Sequence, residues 1–98
     1  MSSYLVLDIA VEDAETYKEY VSRAPAIVAA RGGRYLVRGG NPTTVEGDWS
    51  CSRFVILEFP DRAHVEAFVN APEYAELRAM RLKSTRSRTL IVDGFTPA

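Results

Sequence analysis

The spacing of apolar residues changes repeatedly along the chain, and each change marks an element. YLVLDIAV, residues 4–11, is almost continuously apolar and rich in branched side chains, which predicts a strand apolar on both faces except at Asp8. From Asp13 the period lengthens. Ala14, Tyr17, Val21, Ala24 and Val28 recur every three or four residues, the stripe of an amphipathic helix. Glu12 and Asp13 suit the positive end of that helix, and Gly32-Gly33 can supply its left-handed stop. Pro25 removes a backbone donor inside it, which predicts a kink or break.

A second strand follows at 34–38, with Tyr35 and Val37 expected on one face and Arg34, Leu36 and Arg38 on the other. Gly39-Gly40-Asn41-Pro42 ends it. The connection to Ser52 is longer than most in compact domains, a length often associated with function. Residues 53–59 predict a third strand, apolar on both faces but interrupted by Glu58. Pro60 closes that strand, and Asp61 is placed to cap a helix bearing Val65, Phe68 and Val69. Ala71-Pro72 restarts the chain into a further helix carrying Tyr74, Leu77 and Met80 or Arg81, before a last strand at 89–95.

Strand, helix, strand, strand, helix, strand is the order of a ferredoxin-like βαββαβ sandwich. The expectation is one α+β domain over residues 1–98, with a four-stranded antiparallel sheet and the third strand between the first and second. Right-handed crossovers put the helices on one sheet face. Strands one, three and four are apolar on both faces, so the uncovered face would be a patch larger than soluble monomers usually expose. A second copy packed sheet to sheet is the simplest cover, since two-fold pairing is the commonest assembly.

Composition narrows the partners. A net charge of −1 gives no field for nucleic acid or an anionic membrane, and the apolar runs are too short to span a bilayer. Cys51 is the single cysteine, and no basic segment precedes an apolar run at the N-terminus, so the expectation is a cytoplasmic protein. His64 has no companion ligand and reads as a surface residue rather than a metal ligand. No phosphate-loop, dinucleotide, GxSxG or HExxH pattern occurs, and neither cofactor nor metal is expected.

GRYLVRGG (33–40), EGDW (46–49), RFVILEFP (53–60), APEY (71–74) and VDG (92–94), in this order, resemble a bacterial family, domain of unknown function 1330, within the dimeric α/β-barrel superfamily. The resemblance extends over nearly the whole chain. It implies a ferredoxin-like protomer and a sheet-to-sheet homodimer, and no established reaction. Members of the wider superfamily include cofactor-free monooxygenases, isomerases, haem-handling enzymes and ligand sensors, so the fold does not choose among them.

Two carboxylates stand out among aliphatic residues, Asp8 and Glu58. A buried carboxylate must pair, hydrogen-bond or take up a proton, so each is read either as part of an ion-pair network or as a general acid or base with a raised pKa. Arg38 and Arg53 are the expected partners, or anchors for an anionic substrate. A one-residue shift in strand boundary reverses a carboxylate's face, so the face stays open. Trp49 is either a lid that stacks on a planar ligand or a plug at the barrel end, and Tyr74, with Arg78 and Arg81 one and two turns further along the same helical face, resembles a pocket wall. The run Arg78, Arg81, Lys83, Arg86, Arg88 reads as charge at a helix C-terminus plus a solvated edge, or as an anion-binding patch. Two functions follow: a cofactor-independent enzyme moving a proton on a small anionic or planar metabolite, or a non-catalytic ligand-binding or stress-related dimer.

Overall fold

The computed structural model describes residues 1–97. Strand β1 (Ser3–Val11) leads into helix α1 (Ala14–Ala30), then β2 (Arg34–Gly39) and β3 (Arg53–Phe59), α2 (Arg62–Val69), α3 (Pro72–Ser84) and β4 (Thr85–Asp93). The antiparallel sheet has the order β2-β3-β1-β4, so β3 lies between β1 and β2 as the ferredoxin-like pattern requires. The Cα extents are 43 × 38 × 16 Å. The short dimension accommodates one sheet and one helical layer, which leaves the other sheet face without a cover of its own.

Alternation along the strands sorts side chains between these faces. Leu5, Leu7 and Ile9 of β1 and Val55, Leu57 and Phe59 of β3 are buried beneath the helices with Phe68, Tyr74 and Leu77. Tyr4, Val6, Asp8, Phe54, Ile56 and Glu58 occupy the other face with Leu90 and Val92.

Local chemistry fixes the ends of the helices. The Asp13 carboxylate accepts from the Thr16 backbone N–H at 3.2 Å, and Asp61 accepts from the His64 N–H at 2.9 Å, each satisfying a donor in the first helical turn. Pro72 opens α3, where its missing N–H costs nothing. After α1 the chain turns through Gly32 at φ +84° and then passes Phe59 so closely that a β-carbon on Gly33 would lie 2.6 Å from the ring.

Three sequence expectations change. Helix α1 runs unbroken through Pro25. The last strand begins at Thr85 rather than Thr89 and ends at Asp93, because α3 stops at Ser84 and the Arg86 and Arg88 region pairs with β1. A bulge at Leu36 separates Tyr35, opposite Leu57, from Val37, opposite Ile56, and brings Arg38 opposite Val55. Tyr35 and Arg38 thereby share the helix-covered face.

Candidate functional site

Register explains what holds the two carboxylates. Asp8 on β1 lies opposite Arg88 on β4 and Phe54 on β3, and Glu58 on β3 lies opposite Tyr4 and Arg34. The Arg88 Nη2 donates to Asp8 Oδ2 at 2.6 Å, and the Trp49 indole N–H donates to the same oxygen at 2.9 Å. Arg34 Nε donates to Glu58 at 2.6 Å, with the Tyr4 hydroxyl at 3.4 Å. The Arg88 hydrogen bond, followed by that of Trp49, holds Asp8 below the ordinary carboxylate range, and Arg34 does the same for Glu58. Both are paired anions on the open face. The expected partners Arg38 and Arg53 lie on the opposite face, and the raised pKa of the acid–base reading is absent.

Trp49 is half exposed and docks its loop onto the open face, edge-on to Phe54 at 6.1 Å between ring centres. With Val6, Asp8, Arg88 and Leu90 it frames an open concavity of about 470 Å³. Thr44 braces the loop by donating to the Trp49 carbonyl.

A second site lies between α1 and the sheet. Tyr17, Tyr20, Tyr35, Tyr74, Arg38 and Arg53 surround a cavity of about 20 Å³ floored by Leu7, Ile9 and Leu57. Tyr17 and Tyr20 descend from one stripe of α1 and stack with ring centres 5.6 Å apart, while Tyr74 meets Tyr20 from α3, the two hydroxyl oxygens 2.6 Å apart. Burial pushes the Tyr20 and Tyr35 phenols upward, so both keep their protons at neutral pH. Arg53 donates through Nε to the Tyr17 hydroxyl at 2.9 Å, and Arg38 lies over the Tyr35 ring at 5.1 Å. Gly39, at φ +91°, makes room for the Arg53 guanidinium, which would lie 3.3 Å from a β-carbon there.

Arg38 also explains why α1 survives Pro25. Proline cannot donate to the carbonyl four residues back, that of Val21. The freed oxygen accepts from Arg38 Nη2 at 3.1 Å, so the guanidinium replaces the missing helical donor.

Of the residues singled out from sequence, Arg38, Arg53 and Tyr74 are brought together at this cavity, and Asp8 and Trp49 meet on the far face. Glu58 lies toward the other end of the open face with Arg34. Arg78 is exposed on α3 beside Ala75 and Leu82, apart from both clusters. Tyr17, on the apolar stripe of α1, and Tyr20 and Tyr35 carry no sequence signal that sets them apart from core aromatics, and the structure adds all three to the cavity. Arg81, placed by its spacing on the stripe of Tyr74 and Leu77, is only 5% exposed and lies outside the cavity lining. Its Nη1 donates to Ser87 at 2.7 Å while its Nε has no acceptor. His64 is exposed and hydrogen-bonds its own cap, Asp61, at 2.8 Å. Among the described residues no helix is long and apolar enough to cross a membrane.

Comparison with known proteins places the chain. The model of a family described as domain of unknown function (DUF1330) matches residues 2–95. No curated protein matches the sequence. Among solved structures, a protein of unknown function from Rhodopseudomonas palustris superposes with a TM-score of 0.78 at 18% identity, over 98% of this chain and 84% of that one. SnoaB, a cofactor-independent oxygenase from Streptomyces nogalater, gives 0.65 at 10% identity over 98% and 95%. A dimeric ferredoxin-like protein of unknown function from Jannaschia sp. CCS1 gives 0.65 at 15% identity over 96% and 100%. At these identities the likeness concerns the fold.

Proposed function

The chain belongs to the domain of unknown function 1330 family, and from its own geometry we propose that it is a homodimeric small-molecule-handling protein whose ligand site is the cavity between α1 and the sheet. One observation carries the site: Arg38 and Arg53 stand at a tyrosine-walled cavity, and neither forms an ion pair with a described residue. Arg31, Arg34 and Arg88, by contrast, each hold a carboxylate. Unpaired guanidiniums beside aromatic walls fit a small anionic or planar metabolite.

The dimer rests on the uncovered sheet face. Leu90 is 59% and Val92 38% exposed, and Val6, Phe54 and Ile56 lie beside them without helices above. Pairing two such faces gives the dimeric α/β barrel, with the Trp49 loop at its mouth and Asp8–Arg88 and Glu58–Arg34 as fixed ion pairs inside the seam. In that arrangement Asp8 and Glu58 serve the scaffold: a carboxylate held ionised by arginine is a weak base, and both lie across the sheet from the cavity.

The second reading is a cofactor-independent enzyme, which the fold held in common with SnoaB supports. A thermal-shift screen of the purified protein against a metabolite library tests the site. A ligand at a hundred times its dissociation constant adds about 2.7 kcal/mol, roughly 10–20 °C in a domain of this size. The expected hits lose their shift in Arg38→Gln and Arg53→Gln and keep it in Arg78→Gln. Hits indifferent to the first two substitutions would contradict the proposal. Mass spectrometry of each hit after incubation separates turnover from binding.

A further inference from the structure

Resting on that reading of the cavity, we propose that its ligand is a carboxylate, one oxygen of which enters between α1 and the sheet while the rest of the molecule stays at the Arg38–Tyr35 rim. The hydrogen-bond inventory of the cavity leads there. The Tyr17 oxygen accepts from Arg53, and its own proton has no acceptor among the described residues. Tyr20 and Tyr74 hold two hydroxyl protons between them and spend one on their mutual bond. Arg38 spends one N–H on the Val21 carbonyl. Arg53 spends its Nε on Tyr17 and forms no ion pair with a described residue, so its terminal nitrogens carry uncompensated charge at the cavity.

The lining side chains include two guanidiniums and no carboxylate, and their only acceptors are phenol oxygens. A water molecule that used those oxygens would leave the guanidinium charge unbalanced. A carboxylate oxygen supplies lone pairs, no proton, and the counter-charge that Arg38 and Arg53 lack. Size sets the depth of entry. A volume of 20 Å³ is little more than the roughly 10–15 Å³ that one water needs, so an oxygen of the head group fits and a ring does not. The exposed Arg38 guanidinium and the face of Tyr35 are left to hold the remainder of the ligand.

The test is a titration of the full chain with sodium benzoate and, separately, with neutral benzamide of the same shape, followed by calorimetry and by amide chemical shifts. Benzoate is expected to bind about tenfold or more tightly than benzamide, to move the amides of Tyr17, Val21 and Gly39, and to weaken by about tenfold in Arg53→Gln. Arg38→Gln, at the exposed rim, carries the same expectation should Arg53→Gln fail to fold. Equal binding of the two probes at these amides would overturn the carboxylate assignment and leave the site standing. Binding of neither probe at these amides would overturn the assignment and count against the site itself.

Discussion

Replacing Leu90 by alanine isolates the pairing of open faces from the stability of the protomer. Leu90 is 59% exposed on β4, so within one chain it contributes little packing. Full burial of a leucine side chain is worth about 1.5–3 kcal/mol, so covering the exposed share gains about 1–2 kcal/mol per copy and, by two-fold symmetry, about 2–4 kcal/mol per dimer. Alanine removes three of the four side-chain carbons and forfeits about 1.5–3 kcal/mol, and at 1.4 kcal/mol per decade the dimer dissociation constant rises roughly 10- to 140-fold. Sedimentation velocity over a concentration series measures it. Leu82, 56% exposed on the helical side, is the matched control: Leu82→Ala removes the same atoms from a comparably exposed site and should leave the constant unchanged. Equal effects of the two substitutions, or none from Leu90→Ala, would refute the assignment of the sheet face as the seam.

Three further outcomes follow from contacts in the protomer. Tyr20→Phe leaves the buried Tyr74 hydroxyl without its partner and should cost about 1–3 kcal/mol, whereas Tyr20→Phe with Tyr74→Phe should cost less than the single change; urea melts decide, and a double variant worse than the single one contradicts the pairing. Gly33→Ala drives a methyl to 2.6 Å from the Phe59 ring and should destabilise by about 1–3 kcal/mol, with an unchanged melting temperature as the contrary result. Arg31 holds Glu73 through hydrogen bonds of 2.7 and 2.8 Å and lowers it from 4.5 to about 2. Because the folded pKa lies below the unfolded one, this stabilisation is present above pH 4.5 and drains away as the pH falls toward 2. Urea melts of Arg31→Gln should therefore fall below those of the parent at pH 6 and converge with them near pH 2, and a gap that persists in acid would refute the assignment.

The order of elements was legible because its signals are local. The αα restart at Pro72, the Asp13 and Asp61 caps and the two-faced apolar strands need no tertiary knowledge. The start of β4 was not legible, since Arg86 and Arg88 resemble a solvated edge until pairing with β1 sets Arg88 beside Asp8. Nor was the bulge at Leu36, because an even alternation from Arg34 to Arg38 hides the extra residue that turns Arg38 toward the helices. That single residue separates Arg38 from the carboxylates it was expected to neutralise. Arg38, Arg53, Tyr74, Asp8 and Trp49 were singled out individually, yet their division between two faces depends on register. Pro25 held a clue that went unused: a proline tolerated inside a helix implies a donor for the Val21 carbonyl, and Arg38 supplies it.

Both proposals divide the sheet in the same way, with ligand on the helix side and a second copy on the open face. Amide chemical-shift mapping of the full chain with benzoate tests both. Perturbations clustered at Tyr17, Val21, Tyr35 and Gly39, with Val6, Trp49 and Leu90 still, are the predicted result. Shifts gathered instead around Trp49, Asp8 and Leu90 would place the ligand in the open concavity and contradict the account.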